Sequence, residues 1–252
     1  MIPYNIFEHT YYLFGVIPLQ IWGLMVALGF LAGYFLARNE AQRKGLDATI
    51  INDLFIYIFV GAIIGARLWF ILFYWPADEP RTLLGMLAIW NGGMAFFGGF
   101  LGALVGGSIF TRSRQLSFWN YADTVAPGLV LGHAIGRIGC YLVGLHIGVQ
   151  TTVPWALYMM NGPFQGQTRH PIVLYEISYL LVIFGILWFY RYKWTRPGTM
   201  ATAYVFMYGI ARFVNDFFRD VATDPVYWGL TATQYGLAVL VLAGAVYFLR
   251  KR

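Results

Sequence analysis

Seven apolar stretches set the terms for this chain. They run roughly over Val16–Ala37, Ile50–Trp75, Trp90–Phe110, Tyr121–Gly144, Pro171–Tyr190, Thr199–Phe218 and Thr231–Leu249. A helix rises about 1.5 Å per residue, so about 20 residues cross the roughly 30 Å of bilayer hydrocarbon. Lipid offers a backbone no hydrogen bonds, so such stretches must satisfy their own peptide groups as helices. Charged residues are 11% of the sequence and hydrophobic ones 59%, against about 25% charged in a soluble domain. The expected fold is an all-α integral membrane protein. It has seven transmembrane helices in one membrane domain spanning residues 1–252.

Basic residues orient the spans. Arg38, Arg43 and Lys44 follow the first, Arg112 and Arg114 the third, Arg191, Lys193 and Arg196 the fifth, and Arg250, Lys251 and Arg252 the seventh. These eleven of the seventeen basic residues fall on alternate connections, hence on one face. The positive-inside rule makes that face cytoplasmic and puts the N-terminus outside. Residues 1–10 carry Glu8 and no Lys or Arg, so the first stretch is expected to be a retained span rather than a signal peptide. The long connection 145–170 is expected to form a small outer-face cap, with Trp155 and Tyr158 at headgroup level. The loop charges sit at span ends, so no nucleic-acid partner is expected. Cys140 is the single cysteine, which excludes an intrachain disulfide. No short-spaced set of His, Asp and Glu suggests a metal, and no cofactor is expected.

Glycines recur four apart at Gly61/Gly65, Gly98/Gly102/Gly106 and Gly132/Gly136. Small residues at that spacing let helices approach closely in lipid. Packing accounts for Gly102 and Gly106. Gly98 and Gly99, with Gly92 and Gly93, flank Phe96-Phe97 and also suit close approach of a ligand.

The charges inside the spans carry the chemistry. Arg137 sits in an apolar run between Gly136 and Ile138-Gly139, and Arg67, Arg169, Arg212 and Arg219 also lie in or beside spans. A guanidinium in hydrocarbon costs roughly 2.5 to 3.5 kcal/mol on insertion scales, so it must face protein, water or a ligand. The plain alternative for each is a structural pin on an acid. Asp123, Glu176 and Asp216 are the candidate acids, and Arg212, Asp216 and Arg219 share one helix face. Three acids do not neutralise five arginines. The excess suggests an anionic ligand at membrane depth, and a phospholipid phosphate is the obvious one. His133, four before Arg137, is expected to be a packed neutral ring. His146 and His170 bracket the cap, and each is a candidate base near the outer surface.

Several motifs, in order, resemble those of the prolipoprotein diacylglyceryl transferases. They are Trp90-Asn91-Gly92-Gly93-Met94-Ala95-Phe96-Phe97-Gly98-Gly99, Gly136-Arg137-Ile138-Gly139 with Gly148, and Arg169-His170-Pro171 with Leu174-Tyr175-Glu176. Tyr208-Gly209 with Arg212-Phe213, Phe217 and Arg219, then Leu230-Thr231 with Gln234, complete the set. The resemblance covers nearly the whole chain. It implies transfer of diacylglyceryl from phosphatidylglycerol to the lipobox cysteine of a preprolipoprotein, with release of glycerol phosphate. The setting it implies is the outer leaflet of the bacterial cytoplasmic membrane. By resemblance, Arg137 and Arg212 hold the phosphate, Tyr208 positions or helps deprotonate, and Gly98 and Gly99 admit the headgroup. Arg67 and Arg169 join the headgroup set on the charge argument, and His170, Glu176 and Gly148 through their motifs.

The chain also departs from the family pattern. The histidine of the His-Gly-Gly motif is Phe97, the asparagine after Arg-Ile-Gly is Cys140, and the signature glutamate is Leu145. The phosphate half of the site is kept and the acceptor half is altered, with His146 the candidate replacement base. Two alternatives therefore stay open. One is a related transferase with a phospholipid donor and a lipid or glycan acceptor. The other is a catalytically inactive lipid-binding or transport protein.

Overall fold

A computed structural model describes residues 1–14, 17–75, 82–88, 93–220, 226–231, 234–238 and 242. In chain order the elements are β1 (Ile2–Tyr4), β2 (Thr10–Leu13), β3 (Ile17–Gln20), α1 (Ile21–Arg43), α2 (Ala48–Phe73), α3 (Leu83–Leu87), α4 (Phe96–Ser113) and α5 (Phe118–Leu142). Then follow β4 (Leu157–Met159), β5 (Thr168–Arg169), α6 (Ile172–Tyr190), α7 (Thr199–Asp216), β6 (Val226–Tyr227) and β7 (Leu230–Thr231). Among the described residues α1, α2, α5 and α6 are each long and apolar enough to cross a membrane. The helices α4 and α7, of 18 residues each, occupy the third and sixth expected stretches. Of the seventh, only 234–238 and 242 are described, so the expected span 231–249 lies mostly outside the described residues. The architecture is that of a helical multi-pass membrane protein.

Two helices start several residues later than the sequence reading, and each delay has a local cause. Residues 17–20 were expected in the first span but form β3, paired antiparallel with β2 in the register Thr10↔Gln20 to Leu13↔Ile17. Pro18 has no N–H and disfavours helix in the residue before it, so the helix starts only at Ile21. In the third stretch the described residues 93–95 precede the helix, which starts at Phe96. Gly93 has a left-handed φ of 74° and Ala95 is extended, which delays the helix.

The chain packs as two units, Met1–Ala37 with Ala122–Arg252, and Arg38–Tyr121. In the second unit α2 and α4 lie backbone to backbone. A Cβ added at Gly98, Gly102 or Gly106 would collide with the carbonyl of Gly65, Gly61 or Tyr57. The glycine stripe is thus a helix-packing seam. Arg67, only 8% exposed, is pinned in the same unit by carbonyls. Its Nε donates to Met86 at 2.9 Å, Nη1 to Gly93 at 2.8 Å and Nη2 to Gly85 at 2.6 Å.

The first unit carries the charged cluster. Its core comes from one face each of three helices: Ala126, Val130 and Ala134 of α5, Leu180, Ile183 and Leu187 of α6, and Met200 and Ala203 of α7. The three- and four-residue spacings are those of a helical stripe. The opposite face of α6 exposes Leu181, Val182 and Phe189, as suits lipid. Asp123 of α5 caps α7, accepting from the backbone N of Gly198 at 2.7 Å and of Ala201 at 2.9 Å. Gly198 has no side chain with which to cap, and a carboxylate suits the positive end of a helix.

The segment 145–170 carries a small sheet and is called the cap. Its strands β4 and β5 pair antiparallel, and β1 adds to β4 in parallel. Tyr4, Leu157 and Met159 form its core. The N-terminal strand as part of the cap was not expected from the sequence.

Candidate functional site

Glu176 is the hub. It lies one turn into α6, directly after the cap, and is 1% exposed. Four side chains from α5 and α7 meet its carboxylate. Arg137 Nη2 is 3.1 Å from Oε1 and Arg212 Nη1 is 3.4 Å from Oε2. The Tyr208 hydroxyl donates to Oε1 at 3.2 Å, and His133 Nε2 lies 3.9 Å from it. His133 and Arg137 are four residues apart on α5, as are Tyr208 and Arg212 on α7, so each pair shares a helix face.

The cluster continues toward the cap. Arg212 Nη2 reaches Asp216 Oδ1 at 3.2 Å, and Arg219 Nη1 lies 3.9 Å from the same oxygen. Thr231 Oγ1 donates to Asp216 Oδ2 at 2.6 Å, and Gln234 donates to the Phe213 carbonyl at 3.3 Å. Arg137, Arg212 and Arg219 thus gather on the carboxylates of Glu176 and Asp216. Arginines that share carboxylates keep further N–H donors, so the group can receive an anion.

His133, His146 and His170 line the group and its surroundings. Arg137 Nε donates to His133 Nε2 at 3.4 Å, so the ring hydrogen is on Nδ1, which faces the Tyr204 hydroxyl at 3.2 Å. His146 sits in the turn after α5 with a φ of 58°. Its Nδ1 accepts from Arg219 Nη2 at 3.2 Å. Loss of water around the ring, and then the positive charges of Arg137, Arg219 and Arg212, push it from the ordinary 6.5 down to about 4. His170 Nδ1 lies 3.1 Å from the Tyr175 hydroxyl, which accepts from Trp155 Nε1 at 2.7 Å. Partial burial lowers its pKa too. Both rings line one cavity of about 20 Å³ together with Tyr4 and Tyr141, room for about one water.

The structure sorts the residues singled out in the sequence. Arg137, Arg212, Tyr208 and Glu176 converge, and His146 joins through Arg219. Arg169 and Gly148 lie in the seam between cap and helices. Arg169 Nη1 pairs with Asp220 at 2.7 Å and donates to the Gly148 carbonyl at 3.2 Å, with its guanidinium 4.0 Å from the Phe164 ring centre. A Cβ at Gly148 would lie 2.6 Å from the His170 carbonyl, so glycine is needed where cap and α6 meet. Gly98 and Gly99 of the other unit turn toward α2, against Trp69 and Ala66. Residues 89–92 and the side chains of Phe96 and Phe97 lie outside the described residues. Tyr179 and Tyr204 escaped sequence reasoning. Their spacing was visible, since Tyr179 is three after Glu176 and Tyr204 four before Tyr208.

Comparison with known proteins places this geometry in a family. The family profile described as prolipoprotein diacylglyceryl transferase matches residues 10–250. Three similar proteins each carry the name phosphatidylglycerol–prolipoprotein diacylglyceryl transferase. That of Bordetella bronchiseptica is 33% identical over 241 residues, covering 93% of this chain and 92% of its own. That of Thermosynechococcus vestitus is 37% identical over 206 residues, covering 79% and 76%. That of Geobacter sulfurreducens is 35% identical over 237 residues, covering 93% and 89%. With a match over nearly its whole length, and its buried arginines gathered on one carboxylate, this chain belongs to the prolipoprotein diacylglyceryl transferase family.

Proposed function

We propose that the protein transfers diacylglyceryl from phosphatidylglycerol to the lipobox cysteine thiol of a preprolipoprotein, releasing glycerol phosphate. The observation that carries the reading is the buried Arg137–Arg212 pair held on Glu176. In this reading the cysteine thiolate attacks the glycerol carbon that bears the phosphate. A sulfur–carbon bond forms, the carbon–oxygen bond breaks, and its electron pair leaves on the phosphate oxygen. Negative charge grows on that oxygen in the transition state. Two guanidiniums held in advance by Glu176, which Tyr208 in turn bonds, stabilise it without reorganising. The same positive field favours thiolate over thiol, whose free pKa is about 8.5. His146, neutral above about pH 4, passes the thiol proton to water.

The setting we propose is the bacterial inner membrane. Seven spans cross it with the N-terminus outside and the C-terminus cytoplasmic, and the cap and arginine cluster face the outer leaflet. The replacement of the family's histidine and asparagine by Phe97 and Cys140 favours a second reading, a phospholipid donor with a lipid or glycan acceptor.

The test is turnover by the purified protein with phosphatidylglycerol and a lipobox peptide. Arg137→Ala and Arg212→Ala are expected to lower glycerol phosphate release by about 100-fold or more each, the scale of losing one charge-stabilising donor. Wild-type turnover in either variant, correctly inserted, rejects the role given to that arginine.

A further inference from the structure

Three phenols cluster beside the arginine pair, and one of them has no hydrogen-bond partner among the described residues. The Tyr204 and Tyr208 rings lie 5.9 Å apart, and those of Tyr179 and Tyr208 6.1 Å apart. Tyr204 is bonded to His133 and Tyr208 to Glu176. The Tyr179 hydroxyl is buried and has no hydrogen-bond partner among the described residues. It is close enough to Arg137 and Arg212 to interact electrostatically with both. A buried donor left unpaired is costly, and native proteins rarely keep one without a use.

Its depth says what could pair with it. The helix α6 starts at the cap and runs away from it, so Tyr179 lies three residues, roughly 4.5 Å, farther from the cap than Glu176. A glycerophospholipid carries, next below its phosphate, two ester carbonyls. These accept hydrogen bonds and donate none, while a phenol donates well. We propose that the Tyr179 hydroxyl donates a hydrogen bond to an ester carbonyl of the donor lipid, and so selects diacyl over dialkyl lipids. This rests on the reading that Arg137 and Arg212 hold that lipid's phosphate with its headgroup toward the cap. Tyr179 is then a specificity residue. Neither ester bond is broken in the transfer, so a dialkyl lipid stays chemically competent.

The experiment is a two-by-two binding cycle on the purified full chain in detergent. Wild type and Tyr179→Phe are each titrated with phosphatidylglycerol of matched chain length, either diacyl or di-O-alkyl. Wild type is expected to bind the diacyl lipid about five- to tenfold more tightly, the worth of one neutral hydrogen bond. In Tyr179→Phe the two affinities should converge, by loss on the diacyl side only. No diacyl preference in wild type, a preference that survives in Tyr179→Phe, or an equal loss for both lipids would each overturn the proposal. The last would mark the hydroxyl as structural or water-bonded. Glycerol phosphate release is measured alongside. Its absence despite saturable binding would reject the transferase reading while leaving the cycle to decide the role of Tyr179.

Discussion

At the scale of single residues, the cluster is a problem in charge placement. Arg137 and Arg212 share Glu176, and Arg212 also meets Asp216. Arg137 was legible from sequence, because a fixed charge among Leu, Ile and Gly has few explanations. Arg67 looked equivalent on that argument, and its carbonyl partners are conformational facts that no spacing rule supplies. His146 offers a test by pH. Its folded pKa of about 4 lies below the ordinary 6.5, so the native state favours the neutral ring. The stability it contributes is complete above pH 6.5 and is lost as pH falls toward about 4. Thermal unfolding in detergent should therefore weaken more steeply over that window in wild type than in His146→Gln. Parallel curves for the two proteins would show that the ring is not held neutral. A pH–rate profile unchanged in His146→Ala would remove it from proton transfer.

At the scale of elements, the helices meet where glycines allow it. Gly61 and Gly65 of α2 face Gly98, Gly102 and Gly106 of α4, and Gly29 and Gly33 of α1 face Gly132 and Gly128 of α5. Gly61→Leu would drive a side chain into the Gly102 carbonyl. It is expected to destabilise the protein by about 3 kcal/mol, the upper end for overpacking, because backbone yields less than a side chain. A melting midpoint in detergent equal to wild type would contradict the seam. Helix packing of this kind was readable from the four-residue spacing. The starts of α1 and α4 were not, since hydropathy alone does not separate an extended apolar segment from a helical one. Pro18 and Gly93 supplied the decisive local terms. The cap was expected from the length and polarity of its segment, but its sheet was not legible, because the parallel pairing of β1 with β4 joins residues about 155 apart in sequence.

At the scale of the whole molecule, the chain gathers buried arginines of α5 and α7 on the carboxylate of α6, beside the segment 145–170. Five ordered motifs made the family legible, and the match over residues 10–250 agrees with them. The acceptor side was less legible, because Phe97 and Cys140 replace the residues that carry it in the family pattern. The central claim is transfer to a cysteine thiol, and one measurement addresses it directly. Purified protein is incubated with phosphatidylglycerol and a lipobox peptide, and the peptide mass and released glycerol phosphate are followed together. The account predicts one diacylglyceryl added per peptide for each glycerol phosphate released, with no gain when the peptide cysteine is replaced by serine. Glycerol phosphate released with the peptide mass unchanged would contradict it and turn attention to a different acceptor.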